Sequence, residues 1–203
     1  MKWFALSGVL LALALLLWIF RIRARSITGE KSRKKHFQKL AKELGFRFVS
    51  DDYFLQLEGS WNEMRSIVYP HNFEGPGVII LLYLETRVPA SENNWIEPNL
   101  SLGRALVEWK RHAPFGYEVN GTRLPSKQIL EAIERTSYPF AAVTLPRRFS
   151  YSPLLQQSLS GWKNFIVFLA VEAGKKPAKK QLEAALSDAA KIAQSATFSE
   201  TTG

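Results

Sequence analysis

One apolar run near the amino terminus constrains this chain more than any other feature. It extends from Trp3 to Phe20 and ends abruptly at three arginines, Arg21, Arg23 and Arg25. At ~1.5 Å per residue a helix of this length covers roughly 27 Å, which is close to the ~30 Å hydrocarbon core of a bilayer. The run therefore predicts a transmembrane helix.

A cleaved secretory signal is the competing interpretation of the same run. Such a signal has a charged start, a shorter apolar core and a cleavage site of small residues. Here Lys2 is the only charged side chain before the run, and the apolar core ends in Trp-Ile-Phe-Arg. These features favour a retained signal-anchor, so residues 1–25 are interpreted as a single-pass anchor with a basic flank.

Basic residues after the run predict its orientation. Lys2 precedes the run, whereas a larger set follows it: Arg21, Arg23, Arg25, Lys31, Arg33, Lys34 and Lys35. The positive-inside rule places the more basic side in the cytoplasm. We therefore expect a cell-membrane protein, in the inner membrane if bacterial, with its amino terminus outside and its globular domain in the cytoplasm.

The net charge of +9 is concentrated beside the predicted span. Residues 1–44 contain ten Lys or Arg and two Asp or Glu. Residues 45–203 contain seventeen Lys or Arg and sixteen Asp or Glu, so their charges nearly cancel. A juxtamembrane basic segment attracts anionic lipid headgroups by about 1 kcal/mol per basic residue. The basic set above is thus predicted to contact lipid headgroups, and no nucleic-acid partner is expected.

The residues that follow the predicted anchor, 26–203, are enough for one domain with its own core. Residues 26–32 are polar and predict a tether, residues 33–198 a single cytoplasmic domain, and residues 199–203 a disordered tail. The chain contains no cysteine, which excludes disulfides, thiolate nucleophiles and cysteine metal sites. No metal or other cofactor is predicted.

Hydrophobic periodicity predicts about three helices in this domain. The first covers Arg33 to Leu44 and ends at Gly45, and the second is capped by Ser126 and extends to about Thr136. The third opens at Pro177, and its apolar stripe consists of Leu182, Ala185, Leu186, Ala189 and Ala193.

Apolar runs and alternating patterns predict the strands. Val78–Leu84 and Phe165–Val171 are apolar throughout, which is typical of central strands that are covered on both faces. The other predicted strands are Tyr53–Trp61, Met64–Tyr69, Arg104–Lys110, Tyr117–Val119 and Ala142–Leu145. Residues 147–161 are expected to form a long polar loop. Because most connections are too short for helical crossovers, we predict an α+β domain with a mainly antiparallel sheet.

Few residues suggest catalysis. The histidines His36, His71 and His112 are far apart, and none has a second histidine or a carboxylate at the spacing of a helical metal motif. His36 is expected on the solvated flank of a basic helix. His71 lies in the predicted loop Pro70–Gly77 and is the first candidate for a ligand-binding or acid–base role. The competing interpretation is that His71 is an ordinary turn residue.

A second candidate site is the basic and aromatic patch in the predicted polar loop. Arg147 and Arg148 precede Phe149 and Tyr151 there. Arginine forks and ring faces suit a phosphate, a nucleotide base or a lipid headgroup. An ordinary solvent-exposed loop is the competing interpretation.

Two functions of different classes remain open. The first is a non-catalytic interaction module that is held at the membrane and binds an unidentified protein, which the lack of a complete catalytic motif favours. The alternative is an enzyme or ligand-binding domain that acts on an anionic, membrane-associated substrate through His71 or through the arginines Arg147 and Arg148.

Overall fold

The computed structural model describes residues 29–51, 54–72, 75–84, 107–112, 116–121, 125–144, 152–162 and 164–198. The predicted anchor, the first part of the tether and the predicted tail lie outside these ranges. Among the described helices none is both long and apolar enough to cross a bilayer.

In the described part of the chain, eight strands form one sheet. They are β1 (Arg47–Ser50), β2 (Leu55–Trp61), β3 (Met64–Asn72), β4 (Pro76–Tyr83), β5 (Val107–His112), β6 (Gly116–Gly121), β7 (Phe140–Thr144) and β8 (Ile166–Val171). Their spatial order is β1-β2-β3-β4-β8-β7-β5-β6, and every neighbouring pair is antiparallel. The predicted antiparallel α+β architecture is confirmed.

The described chain also forms four helices. They are α1 (residues 29–44), α2 (Lys127–Thr136), α3 (Pro153–Leu159) and α4 (Lys179–Phe198). The three predicted helices correspond to α1, α2 and α4, and Gly45 ends α1 with a left-handed φ of 70° as expected of a C-cap glycine. Helix α1 also includes residues 29–32, which the sequence assigns to the tether.

Helix α3 corrects the prediction of a long polar loop over residues 147–161. Ser152 Oγ accepts a hydrogen bond from the backbone N–H of Leu155, and Pro153 occupies the first turn. Leu155 and Leu159 lie one turn apart and are both buried. Two apolar residues give too short a pattern for periodicity to reveal the helix. Strand β1 was missed for the same reason.

The helices cover the two faces of the sheet unequally. Helices α1, α2 and α4 pack on one face, against a layer that includes Ile80 and Leu169. Helix α3 packs on the opposite face, against a layer that includes Leu81 and Phe168. Strands β4 and β8 lie side by side in the middle of the sheet and are buried on both faces, which confirms their prediction as central strands.

The β3–β4 hairpin is longer than predicted, and this changes the position of His71. Residues 70–72 pair with residues 76–78, so His71 is a strand residue that lies opposite Gly77 and not a member of a free loop. A Cβ atom at Gly77 would come within 2.1 Å of the Val171 carbonyl oxygen. Glycine is therefore needed at position 77 to let β4 approach β8 closely.

Candidate functional site

A cavity of about 360 Å³ opens where α1, β2, the end of the β3–β4 hairpin and the start of α3 come together. Three basic side chains reach it from separate segments. Arg33 comes from α1, His71 from β3 and Lys175 from the loop before α4. The fold thus brings the predicted ligand-binding residue His71 beside Arg33, which the sequence assigns to lipid contact.

The rest of the wall combines polar and apolar groups. Gln56, Tyr69 and Ser152 supply polar side chains. The other lining residues are Phe54, Leu55, Pro70, Pro76, Gly77 and Leu155. None of the described lining residues is acidic, so the charge that these residues bring to the cavity is positive.

Arg33 has hydrogen-bonding capacity that the described chain does not use. Its Nε is buried and has no hydrogen-bond partner among the described residues. A buried donor without an acceptor costs about 1–3 kcal/mol, which an oxygen of a bound anion would offset. The cavity therefore suits a carboxylate or phosphate group.

Two hydrogen bonds join the segments that carry Arg33 and Lys175. His36 Nε2 lies 2.8 Å from the carbonyl oxygen of Pro177, and because a carbonyl can only accept, this nitrogen carries a proton. On the exposed side, Lys176 Nζ donates to Ser32 Oγ at 2.7 Å. The prediction that His36 is simply solvated is wrong, because its ring is half-buried against the loop before α4.

A second cavity, of about 600 Å³, is lined by other residues of α3, namely Leu154, Gln157 and Ser158. Its polar lining includes Arg47, Glu58, Arg65 and Ser158. Arg47 forms an ion pair with Glu58, and the Arg65 guanidinium lies 4.3 Å from the centre of the Tyr83 ring. Its charges are thus mixed and engaged with protein groups, so this cavity is the weaker candidate for an anion.

A hydrogen-bonded triad connects the linings of the two cavities, because Gln56 lines the first and Glu58 and Ser158 line the second. Gln56 Nε2 donates to Glu58 Oε1 at 2.6 Å and to Ser158 Oγ at 2.7 Å, and Ser158 Oγ donates to Glu58 Oε1 at 2.6 Å. Burial by itself raises the pKa of Glu58, but the hydrogen bonds from Ser158, Arg47 and Gln56 outweigh it and hold the pKa below 4.5. The carboxylate therefore fixes α3 to β2 in its charged form.

The other predicted site residues are distributed as follows. Lys31, Lys34 and Lys35 are exposed on α1. Arg21, Arg23, Arg25, Arg147 and Arg148 lie outside the described residues. Sequence reasoning missed Lys175 and Gln56, because no local motif connects either residue with Arg33 or His71.

Within the described ranges, no three His, Asp or Glu side chains come close enough together to hold a metal ion. No protein-family model, curated protein or solved structure matches this chain. The cavity itself is therefore the basis for assigning a function.

Proposed function

We propose that this chain is a single-pass membrane protein whose cytoplasmic domain binds an anionic ligand without chemically changing it. The ligand occupies the cavity formed by Arg33, His71 and Lys175. The observation that carries the proposal is the convergence of these three side chains on one cavity that no described acidic residue lines. Arginine and lysine are the side chains that most often bind phosphate and carboxylate oxygens.

The composition of the cavity supports binding over catalysis. A general acid–base pair needs a second titratable group that orients or opposes the first. Among the described lining residues no carboxylate is placed beside His71, and Ser152 Oγ already accepts the hydrogen bond that caps α3. An enzyme acting on an anionic membrane substrate would use the same cavity, with His71 as the acid–base group, and remains the alternative.

The membrane component of the proposal has its own test. The apolar run Trp3–Phe20 and the basic flank that follows it support a retained anchor with the domain in the cytoplasm. We expect the full chain to resist extraction by alkaline carbonate and to keep its amino terminus. A carboxyl-terminal reporter that works only in the cytoplasm should be active. A mature protein that begins after Phe20 and is soluble would contradict the anchor.

Anion binding is tested with inorganic phosphate on the full chain in nanodiscs of zwitterionic phosphatidylcholine. Lys175→Met removes one charge but keeps the apolar stem, and we expect phosphate to bind about tenfold more weakly, equivalent to ~1.4 kcal/mol. Lys180→Met is the matched control, because Lys180 is an exposed lysine at the start of α4 and does not line the cavity. Its phosphate affinity should match that of the unchanged protein.

Three results would contradict the proposal in different ways. Absence of phosphate binding in the unchanged protein would reject an anion site. Equal weakening by Lys175→Met and Lys180→Met would indicate general surface attraction. Turnover of a phosphate ester that disappears in His71→Ala, with phosphate binding retained, would favour the enzyme.

A further inference from the structure

Phe54 is an exposed aromatic residue at the cationic cavity. It is the large hydrophobic side chain that the described structure leaves exposed, at 41%. Asp51 forms two hydrogen bonds with the backbone of Phe54. Asp51 Oδ1 accepts from the N–H of Phe54 at 2.7 Å, and the N–H of Asp51 donates to the Phe54 carbonyl oxygen at 3.0 Å. Since Phe54 also lines the cavity beside Arg33 and Lys175, an apolar group and two cations share one entrance.

Helix α1 presents a basic outer surface next to this entrance. While Phe37, Leu40 and Ala41 are buried against the sheet, several lysines of α1 are exposed: Lys31, Lys34, Lys35, Lys39 and Lys42. A helix with a buried apolar side and an exposed lysine side is suited to lie along an anionic bilayer surface. The basic surface and the cavity entrance would then meet the same membrane.

The length of the chain allows this contact. Eight residue-to-residue steps lead from Arg25, at the end of the predicted anchor, to Arg33. They span about 12 Å if helical and no more than ~29 Å if fully extended. The cavity is thus held within reach of the headgroups of the bilayer that the anchor enters.

We infer that the anion bound in this cavity is the phosphate of an anionic lipid headgroup, and that Phe54 enters the membrane interface beside it. This inference rests on the proposed anion site and names its ligand. Arg33 and Lys175 contact the phosphate oxygens. A free inorganic phosphate would need only these two cations. The exposed phenyl ring contributes when the phosphate is joined to a lipid, since its transfer from water into the interface is favourable.

The absence of cysteine from the chain allows a direct test. Phe54→Cys in the full chain carries a single nitroxide label, and electron paramagnetic resonance compares its accessibility to oxygen, which enters bilayers, and to a water-soluble nickel chelate. The protein is placed in nanodiscs of phosphatidylcholine alone or mixed with phosphatidylglycerol. Ser60→Cys is the control, because Ser60 is exposed on strand β2, which begins directly after Phe54, and does not line the cavity.

We expect the label at position 54 to move to interface depth only in nanodiscs that contain phosphatidylglycerol. Lys175→Met should abolish this shift, and the label at position 60 should remain in water throughout. A label at 54 that stays in water in both lipids, while inorganic phosphate still binds, would overturn the lipid inference and leave the anion site intact. A label at 54 that lies in the interface in both lipids would show insertion without headgroup recognition and would also overturn it. If the protein with Lys175 intact shows neither inorganic phosphate binding nor the lipid-dependent shift of the label, the proposed function itself is rejected.

Discussion

His36 in α1 and Pro177 in the loop before α4 are joined by a hydrogen bond of 2.8 Å from the imidazole Nε2 to the carbonyl oxygen. The two residues lie three positions after Arg33 and two positions after Lys175, respectively. This bond therefore helps to hold together the two segments that carry the cations of the cavity. A histidine that the sequence placed on a solvated helix flank thus has a positioning role in the structure.

Replacing His36 tests that role. His36→Phe keeps an aromatic ring but leaves the Pro177 carbonyl without its donor, so we expect the free energy of unfolding to fall by about 1–3 kcal/mol. Each kcal/mol should lower the midpoint of thermal unfolding by roughly 2–4 °C in a chain of this size. Phosphate affinity should fall as well, because Arg33 and Lys175 are held less firmly. Lys176→Met, which removes only the exposed bond to Ser32, should change stability by less than ~0.5 kcal/mol.

Two glycines of the β3–β4 hairpin provide a matched pair. Gly77→Ala would place a Cβ atom 2.1 Å from the Val171 carbonyl oxygen, whereas Gly75→Ala would meet no atom within 4 Å. We expect Gly77→Ala to destabilise the domain by about 1–3 kcal/mol or more, because β4 and β8 must separate. Chemical denaturation measures the difference. Equal stability of the two variants would show that β4 does not approach β8 as closely as described.

The Glu58 carboxylate should make the free energy of unfolding of the domain depend on pH in the acidic range. Because its pKa is lower in the folded state than the 4.5 of an unperturbed glutamate, its contribution is present above pH 4.5. That contribution is lost as the pH falls through the lowered folded value. In Glu58→Gln we expect a flatter decline in unfolding free energy below pH 4.5, measured by urea denaturation. Glu63→Gln, at an exposed site in the turn after β2, should keep the original slope.

Helix α4 offers a test of the buried stripe. Ala185 is 1% exposed, whereas the adjacent Ala184 faces solvent. Ala185→Asp buries a charge in the core at a cost of several kcal/mol, comparable to a typical domain stability of ~5–15 kcal/mol. We expect this variant to be unfolded or to have lost most of its stability, and thermal unfolding measures the change. Ala184→Asp carries the same loss of helix propensity and should remain folded, so unfolding of both would mean that propensity and not burial decides.

Local patterns were sufficient for much of the fold. The stripes of α1, α2 and α4, the alternation of β2 and the apolar runs of β4 and β8 extend over enough residues to be read from the sequence. The antiparallel class followed from connections too short for crossovers. Strand β1 and helix α3 escaped prediction because their apolar patterns are too short, and their burial depends on the sheet that they join.

The sequence alone determined that the chain has an apolar run long enough to span a bilayer, a basic flank beside it, and strands and helices of the α+β class, since each of these properties belongs to neighbouring residues. Only the tertiary structure decided which strands are adjacent and which side chains share a cavity. Arg33, His71 and Lys175 meet because β8 lies beside β4 and the loop before α4 returns to α1. Contacts between such distant residues arise from the packing of the whole core, and no local spacing along the chain encodes them.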